Sequence, residues 1–461
     1  MKNIKCKVNL ILSISLIASL IFTTMSFNGA MIPTNNNVYA ATAKNDTVVT
    51  FKDKNLEQLV RETIDKPTGK LYKSDVVGIT KLSTNKEITD ISGIENLTNL
   101  QYLSLEDSSV GLFNDITPLK GLTNLKFLKI INNRISDISP LKNLTKLQSL
   151  CLDNNEIMDV TPLKGLTNLK SLDLEENKIK DVSSLKGLSR LTNLDLDDNE
   201  VGSINDLSTL TKLTTLRLDH NVITDISPLE GLTNLNLIIL SGNEISSIEP
   251  LEKLTELQNL DLRGTHIKDI TTLKGLYKLQ ELYLDDNEIT DVTPLKNLKN
   301  LKELYLSWNP VKDVSSLDGM PNLQVLNLYN TKVQSVSLSN LPNLELLNLG
   351  NTRELTNVSL NGLPKLQSAY ITFCKFVVKF SFNNLPNLTF LDLSSEGPID
   401  LNQIKGLTSL VYLKLYDDRI SNVDILKEFT NLKTLILWGD QISDTDKNGL
   451  KQALPNCDIQ Y

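Results

Sequence analysis

A leucine recurs along this chain at an interval of 22 residues, and this is the strongest pattern in the sequence. The regular run extends from Leu125 to Leu323, and after one step of 21 residues it resumes at Leu344 and continues to Leu432. Leu100 begins an earlier and longer copy. A fixed period of roughly 20–50 residues is typical of stacked repeat arrays, so the sequence predicts a solenoid of about sixteen repeats.

The apolar positions inside each repeat predict how one coil of chain is folded. When the recurring leucine is numbered position 1, apolar residues also occupy positions 4, 6, 11, 14, 17 and 20. Positions 3 to 7 alternate inward and outward with the period of two that is typical of a strand. We therefore expect one strand per coil, stacked into a parallel sheet whose positions 3, 5, 7 and 8 face solvent.

An asparagine recurs at position 9, directly after the predicted strand. A buried amide both donates and accepts hydrogen bonds, so it can bond neighbouring backbone where the coil bends. Cys374 replaces this asparagine in a later repeat. We expect the role for Asn133, Asn155, Asn177, Asn199, Asn221, Asn243, Asn287 and Asn309.

Serine or threonine followed by proline recurs at positions 15 and 16, as at Ser139-Pro140 and Thr161-Pro162. A hydroxyl favours the start of a helix and proline favours its first turn, so we expect the hydroxyl to cap a short helical turn on the far side of every coil. Strands stack ~4.8 Å apart, and helical turns need more room. The predicted fold class is therefore an α/β solenoid that curves with its sheet on the concave side.

The segments that flank the repeats carry other patterns. Apolar residues at helical spacing from Phe51 to Lys66 predict a helix, with Asn55 and Gln58 placed as a capping box. The predicted division of the chain is 1–43 as secretion signal and leader, 44–78 as helical N-terminal cap, 79–445 as repeats and 446–461 as C-terminal cap.

The beginning of the chain has the composition of a secretion signal. Lysines precede an apolar run from Leu10 to Phe22, and small residues two apart predict cleavage after Ala40 or Ala43. An uncleaved anchor is the alternative, although the run is short for a membrane span, which needs ~20 residues. We expect a secreted, extracellular protein with no membrane span in the mature chain.

The repeat, with Asp-Ile-Ser-Pro-Leu at Asp137 to Leu141, resembles the leucine-rich-repeat family and, within it, the bacterial internalins. The resemblance covers roughly Val48 to Tyr461, and the ending from Leu450 onwards is similar to the strand-like finish of such arrays. It implies a non-catalytic module that binds a macromolecule on its concave face. We find no immunoglobulin-like module and no LPxTG sorting signal, so covalent wall attachment is not expected. Host-cell invasion is not carried over, because one fold serves many partners.

Charge and motifs exclude several classes of function. The net charge of −8 disfavours nucleic acid as a partner, because phosphate binding requires a clustered basic face. The histidines His220 and His266 lie two coils apart, and no HExxH, CxxC or GxSxG motif is present. Cys151, at outward position 5, is expected to be an incidental exposed thiol, with a reactive cysteine as the alternative. We expect a monomer without catalytic residues, cofactor or metal centre.

Acidic residues gather at outward positions of four consecutive repeats. They predict an exposed acidic patch, which solubility alone could explain. The alternatives are a basic surface on a partner, or a weakly held cation such as calcium, which prefers several carboxylate oxygens. The predicted patch consists of Asp153, Asp173, Glu175, Asp195, Asp197 and Asp219.

Aromatic residues occupy the same outward columns farther along the chain. Large rings with few rotatable bonds dominate hot spots in protein interfaces, so these residues are the predicted partner-binding site, with a protein as the expected ligand. The alternatives are rings that only pack on one another, or a noncovalently wall-associated adhesin or structural envelope protein that binds glycan. We expect largely exposed rings at Tyr283, Tyr305, Trp308, Tyr329, Tyr370, Phe373, Phe390, Tyr412, Tyr416 and Trp438.

Overall fold

Short strands, one from each coil, pair in parallel along the whole repeat array. The computed structural model describes residues 46–106, 113–374, 376, 379–394, 398–416, 419–439 and 441–461. The predicted secretion signal and both predicted cleavage positions lie outside the described residues. Within the described ranges the main sheet has eighteen strands. They are Lys81–Thr84, Tyr102–Leu105, Phe127–Ile130, Ser149–Cys151, Ser171–Asp173, Asn193–Asp195, Thr215–Arg217, Leu237–Ile239, Asn259–Asp261, Glu281–Tyr283, Glu303–Tyr305, Val325–Asn327, Leu346–Asn348, Ser368–Tyr370, Phe390–Asp392, Tyr412–Lys414, Thr434–Ile436 and Asp458–Gln460.

The register of this sheet follows the period of the sequence. Leu172 pairs with Leu194, and Leu194 pairs with Leu216, so each strand residue lies beside its equivalent in the next coil. The leucines at positions 4 and 6 are buried and form a continuous core with the other apolar positions. Positions 3, 5 and 7 point to the opposite surface, which we call the strand face.

The predicted asparagine ladder at position 9 is confirmed. Asn199 Nδ2 donates to Leu196 O at 3.1 Å and Asp197 O at 3.0 Å in its own coil, and to Leu174 O at 2.9 Å in the preceding coil. Its Oδ1 accepts from Ile179 N at 3.0 Å. Cys374 takes the same place with its thiol 3.2 Å from Leu349 O. Each buried amide therefore fastens one coil to the preceding coil.

A second asparagine ladder, which the sequence analysis missed, lies on the flank of the solenoid just before position 1. Asn168 Nδ2 donates to Thr145 O at 2.8 Å, and Asn300 Nδ2 donates to Tyr277 O at 2.8 Å. Both acceptors belong to the preceding coil. These exposed amides add a further bond between neighbouring coils.

On the far side, most coils form a single 3-10 turn, as expected. The bounds are Ile94–Asn96, Thr117–Gly121, Ser139–Asn143, Thr161–Gly165, Ser183–Leu185, Asn205–Thr209, Ser227–Leu229, Glu249–Lys253, Thr271–Gly275, Thr293–Asn297, Ser315–Leu317, Leu401–Ile404 and Val423–Glu428. The expected hydroxyl cap is wrong, because the turn already includes Ser139. Asp137 Oδ1, two residues earlier, accepts from Ser139 N at 2.8 Å instead.

The expectation of a helical turn in every coil is also wrong. Three later coils form strands on the far side, at Ser335–Leu338, Asn357–Asn361 and Lys379–Asn383, and these pair in parallel as a second sheet. A further pair joins Pro398–Asp400 to Arg419–Ser421. The segments of the second sheet lack the Ser-Pro start and alternate apolar with polar residues, which favours a strand.

The two ends depart from the sequence prediction in detail. The first helix is Lys54–Thr63, and its N-terminal cap is Asp53, whose Oδ1 accepts from Leu56 N at 2.9 Å. The capping box predicted at Asn55 and Gln58 is therefore wrong. The last strand follows a helix, Asp444–Ala453, which the sequence analysis did not predict. A short helix at Lys73–Val76 and the antiparallel pair Val48–Val49 and Leu71–Tyr72 complete the N-terminal segment.

Residues Thr47–Tyr461 form one compact unit. In the part of the chain that the structure describes, none of the helices has the length and apolar character needed to cross a membrane.

We predict that Asn199→Ala lowers the free energy of unfolding by about 2–3 kcal/mol, because several buried backbone groups lose their partner. Chemical denaturation followed by circular dichroism measures this change. The control is Asn205→Ala, in an exposed turn, with an expected change within about 0.5 kcal/mol. Equal effects of the two substitutions would show that the ladder does not stabilise the fold.

Candidate partner-binding face

Position 8 is the edge at which each strand ends and the chain bends away from the strand face. The backbone here has a positive φ in coil after coil, a conformation that glycine, asparagine and aspartate adopt most readily. Trp308, with φ 59°, and Phe373, with φ 56°, are the aromatic members of this column. The others are Asn132, Asn154, Glu176, Asp198, His220, Gly242, Gly264, Asp286, Asn330, Asn351 and Gly439.

The side chain at position 5 also has a structural role, which the sequence analysis missed. Its aspartate or asparagine side chain accepts a hydrogen bond from the backbone N–H of position 7. Asp195 Oδ1 accepts from Asp197 N at 3.1 Å, and Asn348 Oδ1 accepts from Gly350 N at 2.9 Å. Part of the acidic character of the strand face therefore serves the fold.

The acidic patch is less exposed than expected. Asp173 and Asp197 are buried, and the other four members are half-buried. Arg217, at position 5 of the next coil, lies among them: its Nε is 2.8 Å from Asp195 Oδ2, and its Nη2 is 2.6 Å from Asp197 Oδ2. The sequence analysis missed this arginine, although its place in the same column was a usable signal. The patch is a compact ionic cluster rather than an open acidic surface.

Burial raises the pKa values in this cluster. It raises the pKa of Asp153 to about 7, with further contributions from the negative charges of Asp173 and Glu175. The pKa of Glu175 also rises to about 7, through burial and then the charges of Asp195 and Asp173. Burial raises the pKa of Asp195 despite the opposing attraction of Arg217. The positive charge of Arg217 thus does not offset the burial and mutual repulsion of the carboxylates around it.

Three carboxylates of the cluster come close enough to suggest a cation site. One oxygen each of Asp173, Glu175 and Asp195 lies within 4.8 Å of the others. However, Asp173 accepts bonds from Glu175 N at 3.2 Å and from Cys151 Sγ at 3.2 Å, and Asp195 is paired with Arg217. Calcium takes about six to eight oxygens, so these competing bonds disfavour it.

Cys151 is not the exposed, reactive thiol that its outward position suggested. It is buried between neighbouring strands, and burial raises its pKa far above the ordinary value. Because the thiolate is the reactive form, this cysteine is unreactive at neutral pH.

The aromatic residues at positions 3 and 5 form stacked ladders. The ring centroids of Tyr283 and Tyr305 are 5.0 Å apart, those of Tyr370 and Phe390 are 4.8 Å apart, and those of Phe390 and Tyr412 are 4.5 Å apart. Tyr283 pairs with Tyr305 and Phe390 with Tyr412 in the sheet, so the stacking of these two pairs follows from the ~4.8 Å between strands. Tyr370 and Phe390 lie diagonally, and their rings are tilted by 39°. All five rings are half-buried, and the expectation that they are largely exposed is wrong.

The aromatic residues at positions 7 and 8 are the exposed ones. The exposed fraction is 56% for Trp308, 56% for Phe373, 41% for Tyr416 and 45% for Trp438. Tyr329 is half-buried and packs on Trp308 at 6.1 Å. We call Trp308, Phe373, Tyr416 and Trp438 the aromatic edge. The predicted stripe therefore consists of an inner stacked part and an outer exposed part.

Further aromatic residues escaped the sequence analysis. Tyr102 and Phe127 stack on the strand face of the first coils, with their ring centroids 4.3 Å apart. The sequence analysis missed them because aromatic residues do not recur along these coils. Phe376 is exposed near Phe373 but lies outside the outward columns of the repeat.

The comparisons with known families agree with this architecture. The family model described as "Leucine Rich repeats (2 copies)" matches residues 123–165, 189–232, 233–275 and 277–319, and the model described as "Leucine rich repeat" matches residues 158–201. The matched residues are leucine-rich repeats, and the fold is the leucine-rich-repeat solenoid. Modules of this class typically bind proteins and are generally non-catalytic.

Among solved structures, the chain is similar to bacterial members of this class. An internalin, InlF from Listeria monocytogenes, is 28% identical, and the alignment covers 86% of this chain and 96% of that one with a TM-score of 0.56. A leucine-rich-repeat protein of Leptospira interrogans shares the fold at 23% identity, with 84% and 91% coverage and a TM-score of 0.58. A comparison with curated protein sequences finds no match.

We predict that the acidic cluster makes the protein less stable as pH rises from about 5 to 8. With folded pKa values near 7 for Asp153 and Glu175, and unfolded values near 4, the folded protein binds more protons in this interval. Protonation of these two carboxyls contributes its full stabilisation of the folded protein below their unfolded pKa values. This contribution to the free energy of unfolding is lost as pH rises through their folded pKa values. The double variant Asp153→Asn, Glu175→Gln should therefore gain more stability over the native protein at pH 8 than at pH 5.

Denaturation curves at the two pH values measure this difference. The control is Asp159→Asn, because hydrogen bonds from Thr161 lower the pKa of Asp159 and its carboxylate stays ionised across the interval. Its effect should be equal at pH 5 and pH 8. A double variant with the same effect at both values would contradict the raised pKa values.

Proposed function

We propose that this protein is a secreted, non-catalytic binding module that holds a partner protein against its strand face, with the aromatic edge as the main anchor. The coarser part of this function, protein binding by a leucine-rich-repeat module, is typical of the class. The location that we propose for the site is supported by the exposure and backbone conformation of residues of this chain.

The observation that carries the proposal is the backbone conformation of Trp308 and Phe373. Both residues occupy a column with positive φ, where a bulky side chain is strained by roughly 1–3 kcal/mol. Neither ring regains this cost by burial, because both are more than half exposed. Residues that cost stability without serving the core are best explained by a contact outside the chain.

The chemistry of the edge fits a protein interface. Tryptophan, tyrosine and phenylalanine bring large contact areas with few rotatable bonds, which is why such rings dominate interface hot spots. The inner ladder of Tyr283, Tyr305, Tyr370, Phe390 and Tyr412 lies beside the edge and supports it as a half-buried apolar floor. A partner would thus meet a rigid aromatic surface.

The acidic cluster has a second role in this proposal. It lies on the same face in earlier coils, and its carboxylates outnumber Arg217. Because the pKa values of Asp153 and Glu175 are about 7, the patch gains negative charge as pH rises through neutrality. A net negative patch attracts basic surface at long range and raises association rates, an effect that salt weakens. We therefore propose that the cluster orients a basic region of the partner while the aromatic edge supplies affinity.

We predict that Trp308→Asn together with Phe373→Asn abolishes partner capture without loss of stability. Asparagine occupies the same column at Asn330 and Asn351, so the double variant should be as stable as the native protein, or up to about 1 kcal/mol more stable. Capture is measured by immobilising the purified protein, incubating it with proteins of the surrounding medium or host surface, and comparing the retained bands.

The matched control is Tyr277→Asn. Tyr277 is 58% exposed but lies on the flank of the solenoid, away from the strand face, so its replacement should leave capture intact. Capture that survives the double variant would refute the aromatic edge as the anchor. Retention on purified wall glycan, reversed by free sugar, would favour the wall-associated adhesin instead.

Secretion is the second element of the proposal and rests on the N-terminal sequence. We predict that the full chain, expressed in a bacterium, appears in the medium with Ala41 or Lys44 as its first residue. Mass spectrometry of the intact secreted protein identifies this terminus. An uncleaved chain retained in the cells would contradict the assignment of a signal peptide.

A further inference from the structure

Two adjacent coils leave an uncharged recess in the strand face between Tyr305 and Tyr370. The sheet register places Asn327 beside Tyr305, Asn348 beside Asn327, and Tyr370 beside Asn348. Asparagine side chains are much shorter than tyrosine side chains, so the two asparagines form the floor between two taller walls. Three strand spacings separate the walls, or about 14 Å. We call this feature the amide recess.

The neighbouring outward residues of the same two coils are also uncharged. Val325 and Leu346 occupy position 3, and Tyr329 and Gly350 occupy position 7. A Cβ atom at Gly350 would stand 3.0 Å from Tyr329 Cδ2, so the ring of Tyr329 leans over the glycine. The recess therefore has apolar borders and a polar floor, with no carboxylate or cation in either coil of this face.

The floor offers more hydrogen-bond donors than acceptors. Asn327 Oδ1 accepts from Tyr329 N at 3.1 Å, and Asn348 Oδ1 accepts from Gly350 N at 2.9 Å. Neither Nδ2 group has a hydrogen-bond partner among the described residues, although both asparagines are half-buried. The two amides thus have four N–H groups that can donate to acceptors of a ligand.

The walls offer aromatic faces. Tyr305 stacks on Tyr283, and Tyr370 packs on Phe390 with a tilt of 39°, in each case against a ring on the side away from the recess. By the order of the strands, the side of each wall ring that no other ring covers is the side next to the recess. An occupant therefore meets two ring faces and a row of donors.

We infer that the amide recess binds a proline-rich segment of the partner in the polyproline II conformation. Proline has a carbonyl acceptor but no backbone N–H donor, and this helix has no internal hydrogen bonds, so its carbonyls are free for the donors of the floor. Grooves lined by aromatic rings are a recurring way to bind such segments, which lose little conformational entropy on binding. The inference rests on the proposed function and names the chemistry of its ligand.

Other occupants fit the recess less well. A basic segment finds no carboxylate at the outward positions of these two coils, and a sugar brings many hydroxyl donors for which the floor has only two asparagine oxygens, each already accepting a backbone bond. A proline-rich segment is uncharged, apolar at its rings and rich in acceptors. Each of these properties complements one component of the recess.

The test is isothermal titration of the purified protein with decaproline, acetylated at one end and amidated at the other. We expect saturable binding by the native protein. The variant Asn327→Asp with Asn348→Asp should weaken it about tenfold or more, because donors become acceptors. Its fold should persist, since Asp195 and Asp261 accept the same backbone bond at position 5.

The matched control is Asn357→Asp with Asn361→Asp, which adds the same two charges to the exposed side of the second sheet and should leave decaproline binding unchanged. A glycine-serine decapeptide and the hexamer of N-acetylglucosamine should not bind. The inference is overturned by absent decaproline binding, by unchanged affinity in the recess variant, or by preferential binding of the sugar. Partner capture that still depends on Trp308 would, in that event, leave the proposed function standing.

Discussion

The buried asparagine at position 9 is the interaction on which the other features of the structure depend. Its Nδ2 bonds the carbonyls of positions 6 and 7 in its own coil, as Asn199 does with Leu196 and Asp197. The chain can close this small loop only by reversing at position 8, which explains the positive φ in that column. The same amide bonds the preceding coil. A buried side chain at position 9 that bonds these carbonyls, Asn309 in the coil of Trp308 and Cys374 in the coil of Phe373, thus accompanies the bend that ends the strand and forms the edge on which both rings lie.

The sequence predicts the repeat, the strand positions and the asparagine ladder because each depends on contacts that recur with the period of the chain. Details that depend on unlike neighbours are harder to predict. The pattern at Ser139 allows either a hydroxyl or an aspartate cap, and only geometry shows that Asp137 accepts the bond. The position of Cys151 is outward, but strands ~4.8 Å apart leave little solvent around a short side chain between larger ones.

In the candidate site, too, the features that recur with the repeat could be predicted and those that depend on unlike neighbours could not. Its columns were predictable, because aromatic residues repeat at outward positions. Exposure was not, because it depends on where along the strand a ring lies. At positions 3 and 5 a ring meets its equivalent in the next coil and is half covered, as at Tyr283 and Tyr305. At position 8 the chain bends away, so Trp308 stays exposed. Arg217 escaped notice because its partners, Asp195 and Asp197, are brought to it only by the pairing of coils.

Along the strand face, the character of the outward residues changes in an ordered way while the core does not. The coils around Asp195 carry crowded carboxylates with raised pKa values. The coils of Asn327 and Asn348 carry no charge at their outward positions, and the edge from Trp308 to Trp438 carries exposed rings. The leucine core would tolerate neutral polar residues at most of these outward positions. Asp173 and Asp195 bond the backbone of position 7, but the crowding of further carboxylates around them and the rings in a left-handed conformation both lower stability, so folding alone explains neither. Their occurrence on one face supports the proposal that this face, rather than the far side of the coils, contacts a partner.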